Sequence, residues 1–333
     1  MTAPAVTGGR LARAVPGVLA VLLFACGAPP ALSEQSEPLP VVATPIPLRS
    51  DQPEAHETES LVWRGGLELR SPRSGFGGLS GLVISPDGTR LTAVGDKGIW
   101  LSLPLRYDAE GRLVGAGEGR IARLRGPDGE TLTKKWDRDA EELARAPDGT
   151  HFVAFEHNHR VWHYAALSGT PSALAPLPSL DGMGDNNGIE ALAVLGELGL
   201  LAIAEGGAQG DASLAFLWRE GAWSRLMYGR GGGFRPTGAT LLPDGDLLVL
   251  ERRFNLLEGV RIRLVRVPAA SLHPGAHLSG TVIATLEPPL SVDNMEGIAA
   301  RRGAAGETLI YLISDDNFNP LQRTLLLLFV LKE

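Results

Sequence analysis

Beyond residue 60 the chain alternates short apolar runs with Gly, Pro and Asp clusters, and no helical 3.6-residue period is sustained. Five segments align: Leu79-Ser80-Gly81-Leu82-Val83, Ala140-Glu141-Glu142-Leu143-Ala144, Ile189-Glu190-Ala191-Leu192-Ala193, Thr237-Gly238-Ala239-Thr240-Leu241 and Met295-Glu296-Gly297-Ile298-Ala299. Counted at their second positions they recur at intervals of 61, 49, 48 and 58 residues. Three continue into Pro-Asp-Gly turns, at Pro86, Pro147 and Pro243. An apolar run ending in an acid follows each segment, and these acids are Asp96, Glu156, Glu205, Glu251 and Asp315.

Third strands are predicted at 99–105, 160–164, 213–218, 261–267 and 324–331, and fourth strands at 120–124, 173–177, 223–228 and 281–286. The fifth repeat runs out of chain, and residues 61–70 can supply its missing strand. Repeating four-stranded units, the last closed by the first strand, describe an all-β fold, a β-propeller of five blades. A sixth blade could hide only in the long 98–140 interval, which lacks the acidic motif. The competing architectures are a β-sandwich or two small β domains.

The beginning of an innermost strand lies beside the end of its antiparallel neighbour. The acids that start strands (Glu141, Glu190, Glu296) and those that end them (Asp96, Glu156, Glu205, Glu251, Asp315) therefore converge on one channel mouth, with Ser80 and Gly238 as exceptions. Asp139, Asn186, Asn187, Asp293 and Asn317 extend the set. Crowded carboxylates raise one another's pKa and call for cations. Oxygen donors without cysteine point to a hard divalent ion, Ca²⁺ before Mg²⁺, held by Glu141, Glu190, Glu296, Asp96, Glu205, Glu251 and Asp315. Lys97, Arg252 and Arg253 are candidates to grip a small anionic ester, and Glu156 or His157 to handle protons. Acids at strand ends also cap turns, so a non-catalytic propeller that binds a protein or cell-envelope ligand is the competing class. No Gly-x-Ser-x-Gly elbow is present, which disfavours a serine hydrolase.

Composition narrows this further. The 333 residues are 44% hydrophobic with 42 Gly and 24 Pro, which suits a turn-rich soluble fold. A formal charge of −7 argues against nucleic acid as a partner. The single cysteine, Cys26, excludes an intramolecular disulfide. Arg10 and Arg13 precede an apolar stretch from Ala14 to Ala25, too short for a bilayer span and suited to a signal peptide over residues 1–25. Leu23-Phe24-Ala25-Cys26 resembles a lipobox, so the expected protein is exported to the periplasm or outer envelope, its one membrane link a lipid on Cys26. Residues 26–60 read as a Pro-rich tether, and residues 61–333 as the propeller, expected to be a monomer.

Several motifs together resemble the bacterial phytase-like family, also called esterase-like activity of phytase. They are Gly77-Gly78-Leu79-Ser80-Gly81-Leu82, Asp139-Ala140-Glu141-Glu142-Leu143, Asn187-Gly188-Ile189-Glu190-Ala191-Leu192, Leu250-Glu251-Arg252-Arg253-Phe254, Asp293-Asn294-Met295-Glu296-Gly297-Ile298 and Ser314-Asp315-Asp316-Asn317-Phe318. The resemblance implies an exported propeller with ester-hydrolase activity.

Overall fold

The computed structural model describes residues 1–3, 36–166, 168–178, 188–208 and 210–332. The chain divides into a unit at Met1–Ala31 and a second from Leu32 onward, and everything below concerns the second. Arg10, Arg13, Cys26, Asn186 and Asn187 lie outside the described residues.

Five sheets form a five-bladed propeller, antiparallel throughout except where His277–Leu278 adds in parallel to the outer edge of the third. From the channel outward, the first blade is Leu79–Ile84, Arg90–Gly95, Ile99–Tyr107 and Gly119–Arg123. The second is Ala140–Arg145, His151–Phe155, Arg160–Tyr164 and Ser172–Ala173, and the third is Ile189–Val194, Leu200–Gly207, Ala212–Arg219 and Ala222–Gly229. The fourth is Arg235–Leu241, Leu247–Asn255, Gly259–Val267 and Thr281–Leu286. The fifth takes Met295–Arg302, Thr308–Ser314 and Leu325–Leu331 from the end of the chain and Leu61–Arg70 from its beginning. Each innermost strand touches the next, and the fifth touches the first, so the ring is closed. The 98–140 interval holds a short side strand, Leu113–Ala116, and one helical turn, Lys135–Arg138, and no sixth blade.

Period-two alternation sends successive side chains to opposite faces of a blade, so each blade feeds two wedges of core. In the fourth blade Leu247 and Val249 pack against the third, while Leu248 and Leu250 pack against the fifth. Five such wedges, one per blade interface, make up the hydrophobic core.

Two elements differ from the expectation. The outer strand of the second blade is only Ser172–Ala173, because Pro176 and Pro178 cannot donate to a ladder. Part of the segment expected as a tether is structured. Glu37–Leu39 pairs with the outer strand of the first blade, and Val42–Ile46 pairs with Leu61–Arg70 of the fifth. Pro38 and Pro45 are tolerated because both strands are sheet edges, and the buried side chains of Leu39 and Leu48 anchor the segment in two core wedges.

Candidate functional site

The mouth is built by one device used five times. In every blade the ladder between the first two strands skips a step near its start. In four blades the unpaired residue is Glu141, Glu190, Thr237 or Glu296, and in the first blade Ser80 and Gly81 together oppose Val94. A bulge of this kind re-aims side chains, and here it turns them toward the channel. The next residue is small in four blades (Gly81, Ala191, Gly238 and Gly297) because neighbouring strands approach closely. A Cβ on Gly238 would lie 2.9 Å from the Glu296 carbonyl oxygen, and one on Gly297 would lie 2.7 Å from that of Ser80.

The second strand supplies the other half of each pair. Past the last laddered residues Gly95, Phe155, Ala204 and Ser314 come Asp96, Glu156, Glu205 and Asp315. In all four of these blades the backbone N–H of this acid donates at 2.9–3.0 Å to the carbonyl of the residue just before the innermost strand: Asp96 to Gly78, Glu156 to Asp139, Glu205 to Gly188 and Asp315 to Asn294. In the fourth blade Glu251 is still inside the ladder, opposite Pro236, and Arg252 takes the position that is acidic elsewhere. The one-residue offset sends Glu251 to the opposite face. It is fully buried, accepts from Tyr228 Oη at 2.8 Å and pairs with Arg263. The fourth repeat therefore aligns with Thr237, not Gly238, at its second position. A glycine follows the bulge residue in the first and fifth blades, at Gly81 and Gly297, and Gly238 holds the same place after Thr237 in the fourth.

A cavity of about 250 Å³ results, lined by Ser80, Asp96, Asp139, Glu141, Glu156, Glu190, Glu205, Arg252, Glu296, Asp315 and Asn317. Eight carboxylates face one arginine. Arg252 Nη2 lies 3.2 Å from Glu296 Oε1, and Arg235 reaches in from the rim to Glu205 Oε1 at 3.1 Å. His157, with a left-handed φ of 59°, places Nε2 3.0 Å from Asp139 Oδ2 and 3.7 Å from Glu156 Oε2. The ring of Trp136 packs against it edge-on. Asp139, which joins both the Asp96 and the His157 groups, holds a more central place than its position just outside the repeat suggests.

Lys97 and Arg253 do not line this cavity. Lys97 sits over the Phe318 ring, and Arg253 pairs with Glu258 at 2.6 Å and donates to the Gly232 carbonyl. Below the mouth Glu142 extends across the channel. Its carboxylate oxygens lie where a side chain on Gly81 of the first blade or Gly238 of the fourth would go. Oε1 accepts from the Leu143 N–H at 2.8 Å, while Oε2 is buried without a hydrogen-bond partner of ordinary geometry and only the Ala239 amide lends it support.

The electrostatic cost is visible in the acids. Burial pushes Asp315 up to about 8, Glu296 to about 7 and Asp96 to about 6, with neighbouring carboxylates adding to burial in each case. Burial first, then Glu190, raises Glu141 well above the carboxylate range, and burial and then Glu296 do the same to Glu190. Asp139 and Glu156 are raised by burial and partly relieved by His157. A hard divalent ion fits this donor set. Ligand oxygens about 2.4 Å from a Ca²⁺ lie at most about 4.8 Å apart. The oxygens of Asp96, Asp139 and Glu141 all fall within 4.8 Å of one another, as do the ligand atoms of Asp139, Glu156 and His157.

Residues 74–318 match the family described as Phytase-like, esterase-like activity of phytase. No curated protein matches the chain. Among solved structures it is similar to a protein assigned as a gluconolactonase, with 15% identity over 87% of this chain and 94% of the other and a TM-score of 0.43. Virginiamycin B lyase from Staphylococcus aureus is 10% identical over 82% of this chain and 85% of its own, with a TM-score of 0.40. A luciferin-regenerating enzyme is 10% identical over 78% and 95%, with a TM-score of 0.37. At this distance none of them bears on the role of any residue here.

Proposed function

We propose that this chain, which belongs to the phytase-like family, is an exported, metal-dependent hydrolase of a phosphate or carboxylic ester. The observation that carries the reading is the set of eight carboxylates around one cavity with a single lining arginine. Such a set is costly unless a cation sits among them. Asp96, Asp139 and Glu141 would hold the ion, with Glu190, Glu296 and Asp315 close enough to complete or tune the site; Ca²⁺ suits an all-oxygen set best. When bound, the ion supplies Lewis-acid polarisation of the ester oxygen.

The chain's own residues supply the rest. Arg252, held by Glu296, orients the anionic oxygen of the ester. Glu156 faces the cavity with a raised pKa and takes the proton of the attacking water at its carboxylate. His157 bonds Asp139 and approaches Glu156 from behind, which makes it a positioning residue for both. Glu142 closes the channel below, so substrate enters and leaves by the mouth. Export rests on Arg10, Arg13 and the apolar run to Ala25, with Cys26 as the lipid-bearing residue of an envelope-anchored form.

The test is the melting temperature of the purified chain in excess EDTA and with Ca²⁺, Mg²⁺ or Mn²⁺ restored, followed by an ester screen with the ion that stabilises. A ligand bound only to the native state raises the melting temperature. The reading requires a rise of several degrees with one ion, lost in Glu190→Gln and Glu296→Gln. No rise, with no ester hydrolysed, points instead to a propeller that binds a protein or envelope ligand, its acids served by Arg252, Arg235 and His157.

A further inference from the structure

Apart from Met1, the three most exposed large apolar side chains among the described residues are Leu257 at 96%, Leu256 at 91% and Leu321 at 89%. All three stand at the mouth end. Leu256 and Leu257 form the tip of the hairpin between Leu247–Asn255 and Gly259–Val267 in the fourth blade, and Leu321 lies in the loop after Thr308–Ser314 in the fifth. In the first, second and fifth blades the ladder between second and third strands stops at Gly95, Phe155 and Ile313, close to the mouth acids. In the fourth it continues four residues past Glu251, to the pair Asn255 and Gly259, about 13 Å further along the strand at about 3.3 Å per residue. The hairpin therefore projects beyond the rim, with Phe254 exposed just below its tip.

A solvated turn is ordinarily made of Gly, Asn, Asp or Ser, and adjacent leucines at such a tip mark a surface that something covers. The turn is well formed: Asn255 Oδ1 accepts from the Leu257 N–H at 2.9 Å, and Gly259 closes the loop with a left-handed φ of 75°. Charge behind the tip runs against the chain as a whole. Residues 251–263 hold four Arg and two Glu, in a chain of 31 basic and 38 acidic residues. Arg253 and Arg261 pair across the hairpin one row behind Phe254 and share Glu258, Arg261 also meeting Glu287. Arg230, in the loop that enters this blade at the same end, donates to the Gly210 and Ala212 carbonyls and has no carboxylate partner among the described residues. Apolar side chains on a convex tip, with guanidinium groups set behind them, match a lipid surface in cross-section: acyl chains meet the leucines and phosphates meet the cations. A stable protein interface needs a contiguous patch of about 800 Å² per partner, whereas these side chains stand on separate protrusions.

We propose that the hairpin tip at residues 254–257, together with Leu321 of the next blade, docks this propeller on a phospholipid surface. The leucines enter the acyl boundary, and Arg230, Arg253 and Arg261 meet the headgroup phosphates. The acidic mouth then opens toward that surface. Docking needs neither a bound metal nor hydrolysis, so it stands or falls apart from the hydrolase reading.

The test uses the full chain with Cys26→Ser, so that Leu257→Cys carries the only thiol, labelled with the polarity-sensitive nitrobenzoxadiazole group. Vesicles of phosphatidylcholine, alone or mixed with phosphatidylglycerol, are added in EDTA. The expected result is a blue shift and severalfold brighter emission at 257, greater with phosphatidylglycerol, and no change at a Leu198→Cys label on the opposite end of the propeller. Each label reports its own position, so attachment through the apolar run near the N-terminus alone would leave the label at 257 in water. A Leu321→Cys label should respond as 257 does, and Leu256→Asp with Leu257→Asp should raise the lipid concentration for half of that response tenfold or more. Both leucines are exposed, so an unchanged melting temperature should accompany the loss. Arg253→Gln with Arg261→Gln should remove the gain from phosphatidylglycerol. A label at 257 that stays in water on both vesicles, equal responses at 257 and 198, or a response at 321 that the two aspartates leave intact overturns the proposal. So does emission that shifts with protein concentration alone and no further with lipid, which assigns the tip to a second copy of the chain.

Discussion

Glu296→Gln turns the electrostatic cost of the mouth into a measurable difference. Burial, offset in part by Arg252, lifts the Glu296 carboxyl from 4.5 to about 7. The folded state therefore holds a proton that the unfolded chain has released above pH 4.5. The stabilisation of the neutral acid is present in full below that value and is lost as pH rises through about 7. A shift of about 2.5 units at 1.36 kcal/mol each is about 3.4 kcal/mol, of which about 2.5 kcal/mol falls between pH 5 and 8.5. The side chain is only 14% exposed, so solvent screening removes little of this. Glutamine is a neutral isostere at every pH. In excess EDTA the variant should therefore gain on the wild type by about 2.5 kcal/mol across that window, or about 5 °C at about 2 °C per kcal/mol for a domain of this size. Taking the difference cancels other titrations, notably that of His151, whose pKa burial depresses to about 4 and which alone would make both proteins more stable as pH rises toward 6.5. Scanning calorimetry at pH 5, 6.5, 7.5 and 8.5 is the assay. A flat difference, or a wild type that gains on the variant as pH rises without metal, would refute the reasoning. With Ca²⁺ added at pH 8.5 the order should reverse, since the variant lacks a carboxylate near the ion.

Other outcomes separate structural acids from mouth acids. Glu251→Gln should cost about 3 kcal/mol by breaking the buried Tyr228–Glu251–Arg263 group, as loss of one member of a buried pair does, while leaving the rise in melting temperature with Ca²⁺ intact. Asp139→Asn should do the reverse, changing stability little in EDTA and abolishing most of that rise, because Asp139 belongs to both candidate ligand groups. Gly297→Ala should destabilise by about 1–3 kcal/mol through overlap with the Ser80 carbonyl, read as a lower urea midpoint. Leu39→Ala should cost about 2–5 kcal/mol, since a buried leucine there is part of the core and not of a free tether.

The blade count was legible because hydrophobic alternation, Pro-Asp-Gly turns and the acidic motif recur together, and the closing role of residues 61–70 followed from a last repeat one strand short. What misled was register. Glu251 resembles Glu156 and Glu205 in sequence, but the fourth blade carries its ladder one residue further, and a period of two makes that single step decide between core and channel. Arg253 shares the same history: beside Arg252 in the chain, it points to the other face of the strand. Lys97 adjoins Asp96 in the chain, but both lie in the turn between Arg90–Gly95 and Ile99–Tyr107, where neighbours in sequence need not share a direction, and its ammonium sits over the Phe318 ring. The strands at 37–46 were hidden by prolines, which exclude a central strand but not an edge.

The fifth blade also sets a clock. Glu68 pairs with Leu325 and Leu61 with Leu331, so the earliest blade strand to be made hydrogen-bonds to one of the last. Until the last blade strand arrives, Leu67 and Leu69 have only the first-blade half of their wedge to pack against, and the first four blades can stack only as an open arc with two raw edges. Closing that arc joins residues from opposite ends of the chain, the kind of long-range contact that slows folding and prolongs exposure of unpaired strands. Loss of even the last few residues should therefore harm yield more than their small share of the core would suggest.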